Sequence, residues 1–229
     1  HTPGHSADSC SLILDDGRSF LERTAETYDL VTSEPPPPRS AGVYRLYSVE
    51  YYRAVLDRLT PSGMMTQLVP TNALSREAID RIVSSFVNVF PHALLFVGDG
   101  DQLILMGGRE PFDPAIVERR FGESAGVVKD LARIGVREPI ELLARVTRVD
   151  NDLRRDVAGA RAVSDERNDL ALAVSNPFDP YALVVDSKAL LRALDPGRLS
   201  CGKSLTEILS EPALVRTVVP DFPARTSNP

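Results

Sequence analysis

The sequence contains few of the residues that mark disulfide-rich, metal-binding or membrane-spanning proteins. Tryptophan is absent, and there are two cysteines and three histidines among 229 residues. Cys10 and Cys201 lie far apart, and neither stands in a CxxC or Cys/His spacing, so we expect no disulfide framework and no metal site. No apolar run approaches the roughly 18 residues that a membrane-spanning helix requires.

Charge is balanced rather than concentrated. The 26 basic and 32 acidic residues give a net charge of -6, and the basic residues form no cluster. A nucleic acid is therefore not expected as a partner. The first residues lack the basic start and apolar stretch of a secretory signal, so we expect a cytoplasmic location for the chain as given. With 43% hydrophobic residues, the chain has enough apolar side chains for a core.

Strand and helix patterns alternate from residue 11 onward. Short apolar strands are predicted at 11–14, 28–33 and 63–70, and they are followed in turn by helical patterns at 18–24, 48–59 and 75–90. Ser48 and Ser75 are suitable N-cap residues for the second and third helices, and the Pro-Ser-Gly run at 61–63 is predicted to end the second. This order is typical of an α/β sheet.

The pattern then changes to a hairpin and short helices. Apolar strands at 93–97 and 102–106 flank a turn with two glycines, which predicts an antiparallel pair. Short helices are expected across 113–158, and one more at 187–194. We predict a disordered or truncated start at 1–9, the rear half of a sheet domain at 10–110, its helical C-terminal part at 111–178, and a helix with a poorly ordered tail at 179–229.

Three sequence motifs carry a resemblance to a known family. Residues 14–18 read LDDGR, residues 28–52 contain YDLV, EPP and EYY in that order, and residues 59–67 read LTPSGMMTQ. In order and spacing they resemble the spermine/spermidine synthase family, the polyamine aminopropyltransferases, and especially its bacterial members that are joined to membrane segments. The resemblance covers roughly residues 10–178 and matches the C-terminal part of the family pattern.

The resemblance implies a fold and a set of site residues. The fold is the Rossmann-like, S-adenosylmethionine-dependent transferase type, here as an incomplete sheet that ends in an antiparallel hairpin and is followed by a helical C-terminal region. Glu34 matches the family's catalytic acid, Asp16 and Gly17 match the turn that reads the adenine, and Gln67 and Tyr47 match positions on the acceptor side. The implied co-substrate is decarboxylated S-adenosylmethionine with no tightly bound cofactor, and the implied partner is a putrescine-like amine.

Two departures from the family pattern keep other functions open. Residues 34–38 read EPPPP, so only one of the two carboxylates usual in polyamine-making members is present. The glycine-rich turn and ribose-binding acid that should precede residue 11 are not in this chain. We therefore expect the chain by itself to be inactive, and we keep as alternatives a non-catalytic interaction module and a methyltransferase. An isolated half sheet would expose an apolar edge, which predicts a homo-oligomer. The resemblance to membrane-linked members implies, as the other possibility, a membrane-embedded N-terminal portion in a longer protein.

The same residues are also compatible with simpler roles. Glu34 is also compatible with a solvated acid beside a proline-rich loop, and Gln67 and Tyr47 with simple packing. Residues 197–204 match GxxxxGKS letter for letter, but they follow a helix in a tail instead of leaving a strand, so the match is interpreted as accidental. His92 is interpreted as structural.

Overall fold

The computed structural model describes residues 11–38, 41–70, 74–97, 102–167 and 170. Its strands are β1 Tyr28–Ser33, β2 Leu59–Pro70, β3 His92–Val97, β4 Gln102–Gly108 and β5 Val146–Val149. Its helices are α1 Gly17–Arg23, α2 Val49–Asp57, α3 Arg76–Val87, α4 Pro114–Glu123, α5 Ala125–Arg133, α6 Pro139–Leu143 and α7 Asp150–Asp156, with a 3-10 helix at Val43–Tyr47.

The strands form one mixed sheet in the order β1-β2-β4-β3-β5. β1 and β2 are parallel, and the chain crosses between them through the 3-10 helix and α2. The other neighbouring pairs are antiparallel. The predicted α/β class and the β3–β4 hairpin are confirmed, while the turn predicted at 98–101 lies outside the described residues.

The core lies on one face of the sheet, under α2 and α3. Along β2, Met65, Gln67 and Val69 are buried while the residues between them are only half-buried, which is the alternation of a strand covered on one side. Both helices begin at the predicted serine caps, where Ser48 Oγ accepts a hydrogen bond from the Tyr51 amide and Ser75 Oγ accepts one from the Ala78 amide.

An aromatic cluster between α2, α3 and the sheet shapes this core. The ring centroids of Tyr52 and Phe86 are 5.1 Å apart in an edge-to-face arrangement, and those of Phe86 and Phe90 are 4.4 Å apart. Gly107 of β4 lies directly beneath them, because a Cβ there would be 2.5 Å from a Phe86 ring carbon and 2.7 Å from a Phe90 ring carbon. The absence of a side chain at this position lets the rings reach the strand.

The strand predicted at 11–14 is not formed. These residues have no regular secondary structure, and Leu12, Ile13 and Leu14 are exposed to 90%, 57% and 103%. A strand requires a neighbour for its backbone hydrogen bonds, and no described strand pairs with this segment. An apolar pattern therefore does not by itself make this segment a strand.

Two further predictions about the sheet were wrong. Residues 61–63 were expected to separate a helix from a strand, but β2 already begins at Leu59, and its register against β1 jumps between the Tyr28 and Leu30 pairings. This irregularity in the pairing of β1 with β2 accommodates the Pro-Ser-Gly run inside β2. The helical region predicted at 113–158 does contain four helices, but it also contains β5, which extends the sheet beyond the hairpin by pairing with β3.

Gly107→Ala is expected to lower the free energy of unfolding by about 2 kcal/mol, because a methyl group inserted against two packed rings forces them apart. Gly122→Ala is the matched control, since nothing lies within 4 Å of a Cβ at that exposed position in α4. The control is expected to leave stability unchanged or to raise it by about 0.5 kcal/mol through helix propensity. Urea unfolding followed by circular dichroism measures both, and equal midpoints for the two variants would contradict the packing argument.

Candidate functional site

An open groove lies where β1 ends and α1 begins. It encloses about 510 Å³. Its walls come from the start of α1, from β1 and the loop that follows it, and from two residues of the crossover connection. The lining residues are Asp16, Gly17, Arg18, Leu21, Tyr28, Leu30, Val31, Thr32, Ser33, Glu34, Pro35, Pro36, Leu46 and Tyr51. A groove at the carboxyl end of a parallel strand is the usual ligand position in open α/β sheets.

Asp16 and Gly17 form the rim on the α1 side. Asp16 is the N-cap of α1, and its Oδ1 accepts a hydrogen bond of 2.8 Å from the Ser19 amide. That backbone hydrogen bond is the main reason why the pKa of the Asp16 carboxyl is lowered from its ordinary value. The exposed carboxylate is therefore charged at neutral pH and is held in one orientation.

Glu34 forms the rim on the β1 side, immediately after the last residue of β1. Its side chain is exposed, and it makes no hydrogen bond or ion pair with any residue in the described part of the chain. The structure thus places Asp16, Gly17 and Glu34, three of the residues predicted from sequence, around one groove. An exposed carboxylate with no partner among the described residues is available to a ligand cation.

Tyr47 lies behind the groove and does not line it. Its side chain is fully buried, and burial raises the pKa of its phenol well above the ordinary value, so it stays protonated. The hydroxyl hydrogen is shared between the carbonyl oxygens of Pro35 and Pro36, at 3.1 Å and 3.0 Å. Tyr47 therefore supports the loop that carries Glu34.

Gln67 is likewise buried and does not line the groove. It points from β2 into the core, where both atoms of its amide lack a partner with hydrogen-bonding geometry among the described residues. The hydroxyl of Tyr52 is unpartnered as well. Burial raises the pKa of Tyr52, and the amide of Gln67 is near enough to act weakly in the opposite direction.

Among the groove residues that were not predicted from the sequence, Tyr51 and Arg18 have polar or aromatic groups that bear on binding. Tyr51 is buried to 5% exposure and adds an aromatic wall, with its hydroxyl 3.3 Å from Ser33 Oγ. Arg18 contributes to the floor near Asp16. Both stand inside the motifs LDDGR and EYY, so the signal was present, but only Asp16 and Gly17 of those motifs were assigned a role.

Arg18 is an almost buried cation, and its charge is matched by two carboxylates. Its Nη1 and Nη2 donate to the two oxygens of Asp165 at 2.8 Å and 2.5 Å, and its Nε donates to Glu22 at 2.8 Å. Burial alone would raise the pKa of Asp165, but hydrogen bonds from Arg18, Ser48 and Arg45 outweigh burial and hold that pKa at about 2.

Among the described residues, no group of three or more His, Cys, Asp or Glu side chains is arranged to hold a metal ion. In the same residues, no helix has the length and apolar character needed to cross a bilayer. The predicted homo-oligomer and membrane-embedded portion stay predictions.

No protein-family model matches the chain. The polyamine aminopropyltransferase 2 of Hyperthermus butylicus is 31% identical over 91 residues, which cover 39% of this chain and 30% of that protein. The polyamine aminopropyltransferase of Aeropyrum pernix is 38% identical over 85 residues, which cover 35% of this chain and 26% of that protein. Part of this chain is similar to polyamine aminopropyltransferases. A probable spermidine synthase from Corynebacterium glutamicum, a solved structure, is 17% identical with a TM-score of 0.41, over 66% of this chain and 52% of that chain.

The similarity to aminopropyltransferases is partial, as predicted from the motifs. The matched segments span about a third of the length of these curated relatives or less. The roles of Asp16, Gly17, Glu34, Gln67 and Tyr47 are not tested by these matches and remain predictions.

Tyr47→Phe is expected to lower the free energy of unfolding by about 1 kcal/mol, because two loop carbonyls lose their donor. Tyr52→Phe is the matched control: it removes an equally buried hydroxyl whose neighbour Gln67 is outside hydrogen-bonding geometry and which has no other partner in the described part of the chain, so stability should be unchanged or should rise. Chemical denaturation compares the two variants, and an equal loss in both would mean that the Pro35 and Pro36 contacts do not hold the loop.

Acid is expected to weaken the fold as the Asp165 carboxyl becomes protonated. A folded-state pKa of about 2 against an ordinary 3.8 means that this carboxylate stabilises the fold fully above about pH 4 and loses that contribution as the pH falls towards 2. Unfolding free energies measured from pH 6 to pH 2 should therefore decline less steeply below pH 4 in Asp165→Asn than in the wild type. Parallel curves for the two proteins would contradict this assignment.

Proposed function

We propose that the groove binds a nucleoside sulfonium of the decarboxylated S-adenosylmethionine type and supports aminopropyl transfer to a small amine. One observation carries the proposal. Asp16, Gly17 and Glu34, selected from two separate motifs, line the same groove at the end of a parallel strand. The chain also shares a partial similarity with polyamine aminopropyltransferases.

The reaction requires little from the protein beyond placement and one proton acceptor. The nitrogen lone pair of the amine attacks the carbon beside the sulfonium. The carbon–sulfur bond breaks, its electron pair stays on sulfur, and neutral methylthioadenosine leaves. The acceptor nitrogen loses one proton, which Glu34 takes because its carboxylate is exposed and unpaired in the described structure.

The charges around the groove suit two cationic reactants. The sulfonium donor and the protonated amine repel each other, so their joint binding requires negative or aromatic surroundings. Asp16 supplies a carboxylate on the α1 side and Glu34 one on the β1 side, and Tyr28 and Tyr51 supply aromatic surface. Asp16 and Gly17 would contact the adenine end, while Glu34 would face the amine.

Calorimetric titration with decarboxylated S-adenosylmethionine and with methylthioadenosine tests binding. Asp16→Ser is the informative variant, because serine still caps α1 but is too short and uncharged to replace the carboxylate at the rim. We expect affinity for both ligands to fall about tenfold or more. Asp29→Asn is the control, since Asp29 is an exposed carboxylate on β1 that bonds to Thr60 and does not line the groove.

Turnover with putrescine tests the role of Glu34. Glu34→Gln should lower the rate of methylthioadenosine release by about a hundredfold or more while leaving affinity for neutral methylthioadenosine nearly unchanged, because it removes the proton acceptor and a negative charge but keeps the shape of the side chain. Turnover with S-adenosylmethionine in place of the decarboxylated form would support the methyltransferase alternative. Absence of nucleoside binding in the wild-type chain would support the non-catalytic interaction module.

A further inference from the structure

Asp165 belongs to none of the three motifs, yet its contacts reach both sides of the groove. It lies in a short turn between Ser164 and Arg167, which form an isolated β-bridge. The turn is 147 residues away from Arg18 in sequence. Side-chain exposure is 19% for Asp165 and 10% for Arg18, so their ion pair is largely shielded from water.

On one side, Asp165 holds α1. Its two oxygens receive both terminal nitrogens of Arg18, and this fork geometry fixes the guanidinium in one plane. Arg18 is the second residue of α1 and directly follows Gly17 of the groove rim. Movement of this ion pair would therefore move the Asp16–Gly17 rim.

On the other side, Asp165 holds the crossover connection. Its backbone carbonyl accepts a hydrogen bond of 2.9 Å from the Tyr44 hydroxyl, and its carboxylate accepts one of 3.3 Å from Arg45. The Ser48 hydroxyl lies 2.8 Å from the same carboxylate, and the Asp165 amide donates to Glu50 at 3.1 Å. These four residues span the 3-10 helix and the first turn of α2.

The 3-10 helix continues this connection to Glu34. It ends at Tyr47, whose hydroxyl supports Pro35 and Pro36, and its Leu46 lines the groove. One carboxylate thus joins the rim that carries Asp16 to the segment that supports Glu34.

Asp165 also sets the charge of the groove. Arg18 is near enough to influence Asp16 and Tyr51 electrostatically, because its charge lowers the pKa of both groups even though burial is the main influence on Tyr51 and the Ser19 amide on Asp16. An unmatched guanidinium at this position would repel a sulfonium. Paired with Asp165 and Glu22, it leaves the two rim carboxylates to dominate.

We infer that Asp165 is a positioning residue for the groove, which locks the two rims together and neutralises Arg18 so that a cationic ligand is accepted. The part of the inference that concerns the cationic ligand rests on the proposed function. The part that concerns the rims does not, and the experiment separates them.

Hydrogen exchange of the ligand-free protein tests the rims. In Asp165→Asn, amides of α1 should exchange at least about tenfold faster relative to those of α3, because asparagine cannot accept both guanidinium bonds and its amide group repels one of them. Asp156→Asn is the matched control: Asp156 pairs with Arg148 at 2.6 Å, is 32% exposed, and does not line the groove. It should leave the α1 to α3 ratio unchanged.

Ligand titration tests the charge. Asp165→Asn should weaken binding of cationic decarboxylated S-adenosylmethionine by about ten times more than binding of neutral methylthioadenosine, whereas Asp156→Asn should leave the ratio of the two dissociation constants unchanged. If Asp165→Asn does not fold, Arg18→Lys replaces it. That variant keeps the charge but loses the fork, so α1 exchange should rise while the ratio of dissociation constants stays near that of the wild type.

The outcomes are distinct. Unchanged α1 exchange in Asp165→Asn, or in Arg18→Lys where the first does not fold, would overturn the positioning role. Equal weakening of both ligands in Asp165→Asn would overturn the neutralising role. If the wild type binds neither ligand, the proposed function and the neutralising role both fail, and exchange alone decides whether Asp165 locks the rims.

Discussion

The parallel pairing of β1 with β2 is the constraint on which the candidate site depends. β1 is six residues long and pairs on one side only among the described strands, so its position is set by five residue pairings with β2. Because the two strands run in the same direction, the chain must cross over between them, and that crossover brings the 3-10 helix and α2 beside the carboxyl end of β1. The groove is the space that this geometry leaves between the strand end, the crossover and α1.

The groove joins two different kinds of packing. Behind it, α2 and α3 cover the sheet with a buried aromatic core in which Gly107 allows rings to touch the strand backbone. In front of it, the surface is charged and open, and order comes from hydrogen bonds such as those of Tyr47 and Asp165. Close packing of apolar side chains therefore holds α2 and α3 on the sheet, while directional polar contacts hold the rims of the groove in position.

Local signals predicted much of this arrangement. The serine caps of α2 and α3, strand β1 and the β3–β4 hairpin depend on neighbouring residues, and each was recognised from sequence. Features that depend on distant partners were predicted wrongly or not at all. The segment 11–14 has a strand pattern but no neighbouring strand, and β5 is a strand because it pairs with the edge of β3. The register jump in β2 follows from its pairing with β1. In the site, Asp16, Gly17 and Glu34 were predicted from motifs. The contact of Asp165 with Arg18 exists only in the folded chain, so the role of Asp165 could not be predicted from neighbouring residues.

The long separation between Arg18 and Asp165 affects the order in which the protein forms. Contacts between neighbouring segments, such as the caps and the hairpin, close short loops and form early, whereas a contact across 147 residues must wait for the chain between them. During synthesis the ribosome has to release residue 165 before the ion pair can close. Much of the core under α2 and α3 comes from residues 47–105, which emerge sooner, but Val163 and Leu170 of the same core leave the ribosome with Asp165 or after it. The groove and the last part of that core are therefore completed together.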